Sequence, residues 1–162
     1  MRSTTLVTTD LRAFVESYWH RWGDHPNRSA VGAPRVSWAG FYQKDVASDT
    51  MSLVCREPKP ACSPIGLFGM CGRGWREQKN FIVRDVRVLG ENYVACDPRD
   101  QSELVIPIYE SEAHRARGEC WGVFDVDSYD LHAFEVSHAR AVLEMLHDAH
   151  ITTPIDSSVI VL

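Results

Sequence analysis

Residues 120–128 have the sequence Cys-Trp-Gly-Val-Phe-Asp-Val-Asp-Ser, and its alternation predicts a β-strand. Successive side chains of a strand point to opposite faces, so Asp125 and Asp127 share one face while Phe124 and Val126 share the other. The strand is therefore buried on one side and presents two carboxylates on the other. A sheet built around it would have one packed face and one face that carries functional groups.

A cysteine-bearing loop leads into a second predicted strand. Residues 96–103 read Cys-Asp-Pro-Arg-Asp-Gln-Ser-Glu, a polar, turn-rich segment that precedes the apolar run Leu-Val-Ile-Pro-Ile. The loop brings the thiol of Cys96 and the carboxyl of Glu103 together at the mouth of that strand. Cys62 and Cys71 lie in an earlier loop, where prolines and glycines forbid regular structure over most of its length.

A third strand is predicted over residues 36–42, where Trp38, Gly40 and Tyr42 share one face. Two amphipathic rings beside a glycine suit the floor of a small-ligand pocket. Rings that pack beneath a helix would show the same spacing, and the spacing alone favours packing.

Helical spacing of apolar residues predicts two long helices at the ends of the chain. One runs from a cap at Thr9 or Asp10 to Trp22, and the other runs from Leu131 to His150. The strands between them follow one another through hairpin-type connections. This order predicts an α+β fold, with an antiparallel sheet flanked by N- and C-terminal helices.

The chain has the length of one domain with a substantial core, which we expect to span residues 1–162. Its parts are an N-terminal helix and loop (1–35), the core (36–150) and a tail (151–162). The tail ends in apolar residues. It can add an edge strand or dock on a partner, and the sequence leaves both open.

Composition narrows the partners and the compartment. The formal net charge of -5 argues against nucleic acid, which is bound mainly through Lys and Arg. No apolar run is long enough to span a membrane, and the N-terminal residues lack the apolar segment of a secretory signal. Five cysteines without such a signal predict a reducing compartment, the cytoplasm.

Zinc and a Cys/His hydrolase are two alternatives for the cysteines. Structural zinc ligands usually come in pairs roughly two to four residues apart, and no two cysteines here have that spacing. Seven histidines are available to a hydrolase. None is placed by the sequence near Cys96, and His138, His147 and His150 are expected on a helix surface.

The pair Asp125 and Asp127 has two interpretations. It can hold a divalent cation, or it can bind an ammonium group and supply a proton. Like charges held close together raise at least one pKa, so that one carboxyl stays protonated near neutrality. No P-loop or glycine-rich strand–helix fingerprint indicates a phosphate-bearing substrate.

Several segments, in chain order over roughly residues 36–146, resemble the free methionine-(R)-sulfoxide reductase family. They are Trp38-Ala39-Gly40-Phe41-Tyr42, Lys59-Pro60-Ala61-Cys62, Gly69-Met70-Cys71-Gly72, Val94-Ala95-Cys96-Asp97, Ser102-Glu103-Leu104-Val105-Ile106-Pro107 and Gly122-Val123-Phe124-Asp125-Val126-Asp127-Ser128. Members of this family are GAF domains, and three cysteines combined with the Asp-x-Asp-Ser strand distinguish them from other GAF domains. The resemblance therefore implies a GAF-like α+β fold.

The resemblance also implies roles for individual residues. Cys96 would be the nucleophile, Cys62 the main resolving cysteine that forms a disulfide with it, and Cys71 an auxiliary thiol. The substrate pocket would be lined by Trp38, Tyr42, Glu103, Asp125 and Asp127.

The activity implied is that of an oxidoreductase connected with oxidative stress. It reduces free L-methionine (R)-S-oxide to L-methionine with thiols, needs no cofactor or metal, and is recycled by thioredoxin. The alternative is a non-catalytic GAF module that senses a small ligand, which would not need Cys62 and Cys96 within bonding range. A homodimer is compatible with both, and the sequence leaves the assembly open.

Overall fold

The computed structural model describes residues 6–93, 95–151 and 156–162. Its strands are β1 (Trp38–Lys44), β2 (Thr50–Glu57), β3 (Ile65–Gly66), β4 (Asn80–Val83), β5 (Ser102–Ile108), β6 (Gly122–Ser128) and β7 (Val159–Val161). Its helices are α1 (Thr8–Trp22), α2 (Met70–Glu77), α3 (Glu112–Ala116), α4 (Val136–Asp148) and a 3₁₀ segment (Val86–Asn92). In these described ranges, no helix has the length and hydropathy needed to cross a bilayer.

One sheet contains all of these strands, in the order β3-β2-β1-β6-β5-β4-β7. Neighbouring strands are antiparallel except β4 and β7, which are parallel. The strand that carries the Asp-x-Asp pattern, β6, lies between β1 and β5. The predicted α+β class, an antiparallel sheet with flanking helices, is confirmed.

The two faces of the sheet have separate cores. Phe124 and Val126, expected on the packed face, are fully buried in the core that α1 and α4 complete. The other face is partly covered by α2. A Cβ at Gly74 of this helix would lie 2.6 Å from Val105 Cγ1, so the glycine allows close contact with β5. The rest of this second face lies under loops and holds the candidate site.

The start of α1 differs from the prediction. The residue before the helix is Val7, which has an extended backbone and provides no side-chain cap. Thr9 and Asp10 therefore lie within the first turn. Asp10 still favours the helix there, because a negative charge interacts well with the N-terminal end of the helix dipole.

The start of α4 and the place of one histidine also differ. The helix begins at Val136 and not at Leu131, because His132 has a left-handed φ of 53° that an α-helix does not contain. His138, expected on the surface, is buried, and its Nε2 lies 2.7 Å from Tyr18 Oη on α1. Burial lowers the pKa of His138 to about 4, so the ring is neutral at pH 7 and joins the two helices.

The end of the tail forms an edge strand, which was one of the two predicted outcomes. Val159 pairs with Asn80 and Val161 pairs with Ile82, in parallel orientation. Residues 152–155 of the predicted tail lie outside the described residues.

Candidate active site

A cavity of about 590 Å³ lies between these loops and the part of the sheet that α2 does not cover. All eight residues predicted for the site line it: Trp38, Tyr42, Cys62, Cys71, Cys96, Glu103, Asp125 and Asp127. They come from β1, β5, β6, the first turn of α2 and two loops. The structure thus brings the predicted residues together, while their individual roles stay predictions.

The register of three strands places the acids side by side. Asp127 pairs with Glu103 on β5 and with Trp38 on β1. Asp125 pairs with Gly40 on β1. Because side chains on one face of a sheet recur every two residues, the three carboxyl groups point toward the same cavity.

Burial controls the charge of these acids. Glu103 and Asp125 are each 6% exposed, and among the described residues Glu103 Oε2 and Asp125 Oδ1 have no hydrogen-bond partner. Burial, together with the charge of Asp125, raises the pKa of Glu103 well above its usual range. Burial raises the pKa of Asp125 to about 6, and burial with the charges of its neighbours raises the pKa of Asp127. Near neutral pH the cavity offers both a protonated acid as donor and an ionised carboxylate as acceptor.

The two rings of β1 hold the loop that carries Cys62. Trp38 Nε1 donates to the carbonyl oxygen of Lys59 at 2.9 Å, and Tyr42 Oη donates to the carbonyl oxygen of Cys62 at 2.7 Å. A Cβ at Gly40 would overlap the Trp38 ring, so the glycine lets the indole lie across the strand. The rings line the cavity, as expected for the floor of a pocket, and they also pack with residues of α2, as expected for packing beneath a helix.

Cys62 and Cys96 are joined by a disulfide, with their Cα atoms 5.7 Å apart. This is the pairing that the family resemblance implies. Both residues are exposed at the edge of the cavity. An exposed disulfide in this position is open to attack by an external thiolate.

Cys71 is a third thiol within the cavity. It lies in the first turn of α2, is 6% exposed and is not part of a disulfide. Its Sγ lies within 4.8 Å of carboxyl oxygens of Glu103 and Asp125. Burial raises the pKa of this thiol, and the charges of the two acids raise it further. Cys71 is therefore protonated near neutral pH and less suited than Cys96 to act as the nucleophile.

Known proteins resemble this chain over most of its length, although no family model matches it. Protein YtsP of Bacillus subtilis is 33% identical over 128 residues, which make up 76% of this chain and 74% of that protein. GAF domain-containing protein A of Dictyostelium discoideum is 32% identical over 67% of this chain. The free methionine-R-sulfoxide reductase of Saccharomyces cerevisiae is 32% identical over 62% of it. The matched residues span 65% of the Dictyostelium protein and 53% of the yeast protein.

Solved structures point the same way. The X-ray structure of free methionine-R-sulfoxide reductase from Neisseria meningitidis in complex with its substrate has a TM-score of 0.69 and 27% identity, over 88% of this chain and 75% of that one. The chain belongs to the free methionine-R-sulfoxide reductase family. A putative GAF sensor protein from Burkholderia vietnamiensis has a TM-score of 0.67 and 27% identity, over 93% and 83% of the two chains. The fold of this family member is that of a GAF domain.

A charged cluster at the rim of the cavity was missed by the sequence reasoning. Lys59 Nζ and Tyr129 Oη both donate to Asp97 Oδ2, and Arg99 Nη2 donates to the same oxygen at 2.8 Å. Arg99 and Lys59 hold the pKa of Asp97 well below its usual range. The available signal was weak: Lys59 and Asp97 belong to two of the family motifs, but they are 38 positions apart.

Asp100 was also missed. It lines the cavity, is 8% exposed, and its Oδ1 accepts a hydrogen bond from Ser37 Oγ at 3.1 Å. Burial raises the pKa of Asp100 to about 7. In the sequence this residue reads as an ordinary turn residue of a polar loop, because aspartate is common in turns.

The other interpretations of the cysteines find little support in the described part of this reductase-family chain. No histidine there lines the cavity, so a Cys/His hydrolase lacks its base. Two of the cysteines that zinc could use, Cys62 and Cys96, are joined to each other. The divalent-cation interpretation is supported for Asp125 alone, because its carboxyl group lies close to possible metal ligands on Cys71 and Glu103.

Proposed function

We propose that this chain reduces free methionine (R)-sulfoxide to methionine, with Cys96 as the nucleophile and Cys62 as the resolving thiol. The observation that carries the proposal is the Cys62–Cys96 disulfide at the edge of a cavity lined by acids. Such a disulfide is the expected product after a thiol has reduced a bound substrate and a second thiol has resolved it. The yeast and Neisseria reductases support the substrate class.

The acids match the polar groups of this substrate. An ionised Asp125 binds the ammonium group, which supplies a partner for the unpaired Oδ1. The sulfoxide oxygen can only accept hydrogen bonds, and a protonated Glu103 or Asp127 provides the donor. The indole face of Trp38 contacts the S-methyl group and the partial positive charge on sulfur.

The reaction reduces the sulfoxide by two electrons, which come from the oxidation of two thiols to a disulfide. The thiolate of Cys96 attacks the electron-poor sulfur while Glu103 or Asp127 protonates the oxygen. The hydroxyl group then passes from the substrate sulfur to the sulfur of Cys96: the S–O bond of the substrate and the transient bond between the two sulfurs break, methionine leaves, and Cys96 is left as a sulfenic acid. Cys62 then attacks the sulfur of Cys96, the disulfide forms, and the oxygen leaves as water.

The charged cluster at the rim favours the thiolate of Cys96. Lys59 and Arg99 share the single carboxylate of Asp97, the residue next to Cys96, so this cluster has a net positive charge. Nearby cations lower the pKa of a thiol from its free value of roughly 8.5, whereas the buried acids raise it. The cluster therefore opposes the effect of the acids where the nucleophile lies.

An external dithiol completes the cycle by exchange with the disulfide, and thioredoxin is the proposed reductant. Exposure of both Cys62 and Cys96 allows such a partner to approach. Regeneration of this kind suits a reducing compartment such as the cytoplasm. Cys71 takes no part in the first turnover and serves as the auxiliary thiol.

The alternative is a GAF sensor, and the similarity to the Burkholderia structure supports it. A measurement of catalytic turnover distinguishes the two functions. The purified chain is incubated with free methionine (R)-sulfoxide, thioredoxin, thioredoxin reductase and NADPH, and methionine is quantified by amino-acid chromatography. We expect continuous release from the R form and little from the S form. Reversible binding of the sulfoxide without methionine release, by a protein whose disulfide is confirmed to be reduced, would overturn the proposal in favour of the sensor.

A further inference from the structure

Within the described part of the chain, Cys71, Glu103 and Asp125 form a compact group of metal-ligand atoms. The thiol sulfur and one oxygen of each carboxyl group lie within 4.8 Å of one another. Each of the three residues is 6% exposed, so the group is shielded from water. The proposed first turnover does not use Cys71, and its sulfur stays free when the disulfide forms.

Two oxygen atoms of this group are available to a ligand. Glu103 Oε2 and Asp125 Oδ1 are buried and have no hydrogen-bond partner among the described residues, and both side chains line the cavity. Leaving buried carboxyl oxygens unpaired is costly. The ammonium group of an amino acid can satisfy one of them, whereas a metal ion can satisfy both.

We propose that Cys71, Glu103 and Asp125 form a binding site for Zn²⁺. Zinc accepts a mixture of thiolate and carboxylate ligands, whereas Mg²⁺ and Ca²⁺ are bound through oxygen atoms. Zinc–ligand bonds of roughly 2.0–2.3 Å hold tetrahedral donors roughly 3.5 Å apart, so the side chains need to approach by about 1 Å.

Binding is balanced by the release of protons. The thiol of Cys71 and the acid of Glu103 each give up a proton to solvent, and Asp125 binds as the carboxylate. The carboxylate proposed to hold the substrate ammonium is then occupied. Zn²⁺ and the zwitterionic substrate consequently exclude each other, and the metal acts as a reversible inhibitor. The inhibition rests on the proposed function, whereas the binding does not.

The oxidised protein isolates this site. When Cys62 and Cys96 are joined, their sulfurs are not thiolates, and Cys71 is the free thiol of the cavity. Co²⁺ serves as the probe because a thiolate ligand gives it a charge-transfer absorption band. We expect one Co²⁺ per chain with this band, displaced by Zn²⁺ and not by Mg²⁺.

Cys71→Ser removes the thiolate, and Cys120→Ser is its matched control. Cys120 is also a free, partly buried thiol, but it donates to the carbonyl oxygens of Ile108 and Gly122 and does not line the cavity. We expect Cys71→Ser to lose the band and to weaken Zn²⁺ binding by more than about tenfold, and Cys120→Ser to keep both.

A second variant covers the case in which Cys71→Ser does not fold. Glu103→Gln should weaken Zn²⁺ binding while the thiolate band of bound Co²⁺ remains. Absence of the band in the oxidised wild type overturns the proposal, and so does a band that survives Cys71→Ser. Zinc affinity unchanged by Glu103→Gln also overturns it. These measurements involve no turnover, so their failure is distinct from failure of the proposed function.

Discussion

Replacing Asp125 by asparagine keeps the size of the side chain and removes its charge. The residue is 6% exposed and pairs with Gly40 on β1 and with Val105 on β5, so an amide fits the same space. The proposed contact with the substrate ammonium is a hydrogen bond between charged groups, which contributes ~1.5–3 kcal/mol. At about 1.4 kcal/mol per factor of ten, its loss should weaken substrate binding roughly 10- to 150-fold.

The loss should appear in KM. The ammonium group takes no part in the bonds that change, so Asp125 contacts it equally in the bound substrate and in the transition state. Removing such uniform binding raises KM and leaves kcat nearly unchanged. Because burial raises the pKa of Asp125 to about 6, the wild-type carboxylate becomes protonated as the pH falls through that value. The wild-type KM should therefore rise below about pH 6, and the asparagine variant should lose this dependence.

Initial rates of methionine release measure the effect, with free methionine (R)-sulfoxide and with its N-acetylated, amidated form. The wild type should have a much higher kcat/KM for the free amino acid than for the blocked form. Asp125→Asn should reduce this ratio, because the amide has no negative charge to bind the ammonium group. Asp130→Asn, an exposed acid outside the cavity, is the matched control. If the KM of Asp125→Asn stayed within about twofold of the wild type, or if the N-acetylated substrate lost as much, the assignment of Asp125 would be refuted.

Three further predictions concern the thiols, the floor of the cavity and a buried acid. Cys96→Ser should abolish even a single turnover, because a hydroxyl is a far weaker nucleophile. Cys62→Ser should release about one methionine per chain with thioredoxin and then stall, since attack precedes resolution; quenched-flow methionine analysis measures both. Gly40→Ala should cost roughly 1–3 kcal/mol in urea unfolding and raise KM, because the added Cβ overlaps the Trp38 ring. Asp100→Asn should raise the melting temperature at neutral pH by about 2–4 °C, equivalent to ~1 kcal/mol. Burial raises the pKa of Asp100 to about 7, above its unfolded value, so the wild type loses stability as the pH rises from about 4 to about 7 and the amide does not.

Each of these has an outcome that contradicts it. A normal burst from Cys96→Ser would mean that another thiol attacks the substrate, and Cys120→Ser should keep full turnover as the control. A Gly40→Ala variant as stable as the wild type would show that the indole can move aside without cost. Asp130→Asn is again the control for Asp100→Asn. If the melting temperatures of the two variants changed equally with pH, Asp100 would not be the cause of the loss of stability.

Alternation along single strands was enough to predict which side chains face the cavity. Asp125 and Asp127 lie opposite to Phe124 and Val126 in the structure as in the pattern, because a slip of one residue would turn every side chain to the other face. The same two-residue alternation predicted that Glu103 lies on the face of its strand opposite to Leu104 and Ile106. The two-residue period does not predict the order of the strands in the sheet. That β6 lies between β1 and β5 depends on pairing between distant segments.

Helix ends and one histidine could not be predicted because distant contacts decide them. The segment 131–135 is apolar enough to continue a helix, but His132 takes a left-handed conformation and its N–H donates to the carbonyl oxygen of Arg84 beyond β4. His138 looks like a surface residue on its own helix. Its burial depends on Tyr18, which is 120 positions away in the sequence.

The ion pair between Lys59 and Asp97 suggests how the two reactive loops stay together through the cycle. Lys59 precedes Cys62 by three residues, and Asp97 directly follows Cys96, so the pair joins the same two loops as the disulfide. An exposed ion pair alone contributes only ~0–1 kcal/mol. Here the carboxylate is 14% exposed and accepts from three side chains, while two hydrogen bonds from the rings of β1 hold the other loop. None of these contacts is made by a sulfur atom. We therefore expect them to keep the two thiols near each other when the disulfide is reduced, so that the sulfenic acid proposed on Cys96 meets its resolving thiol without a large movement of either loop.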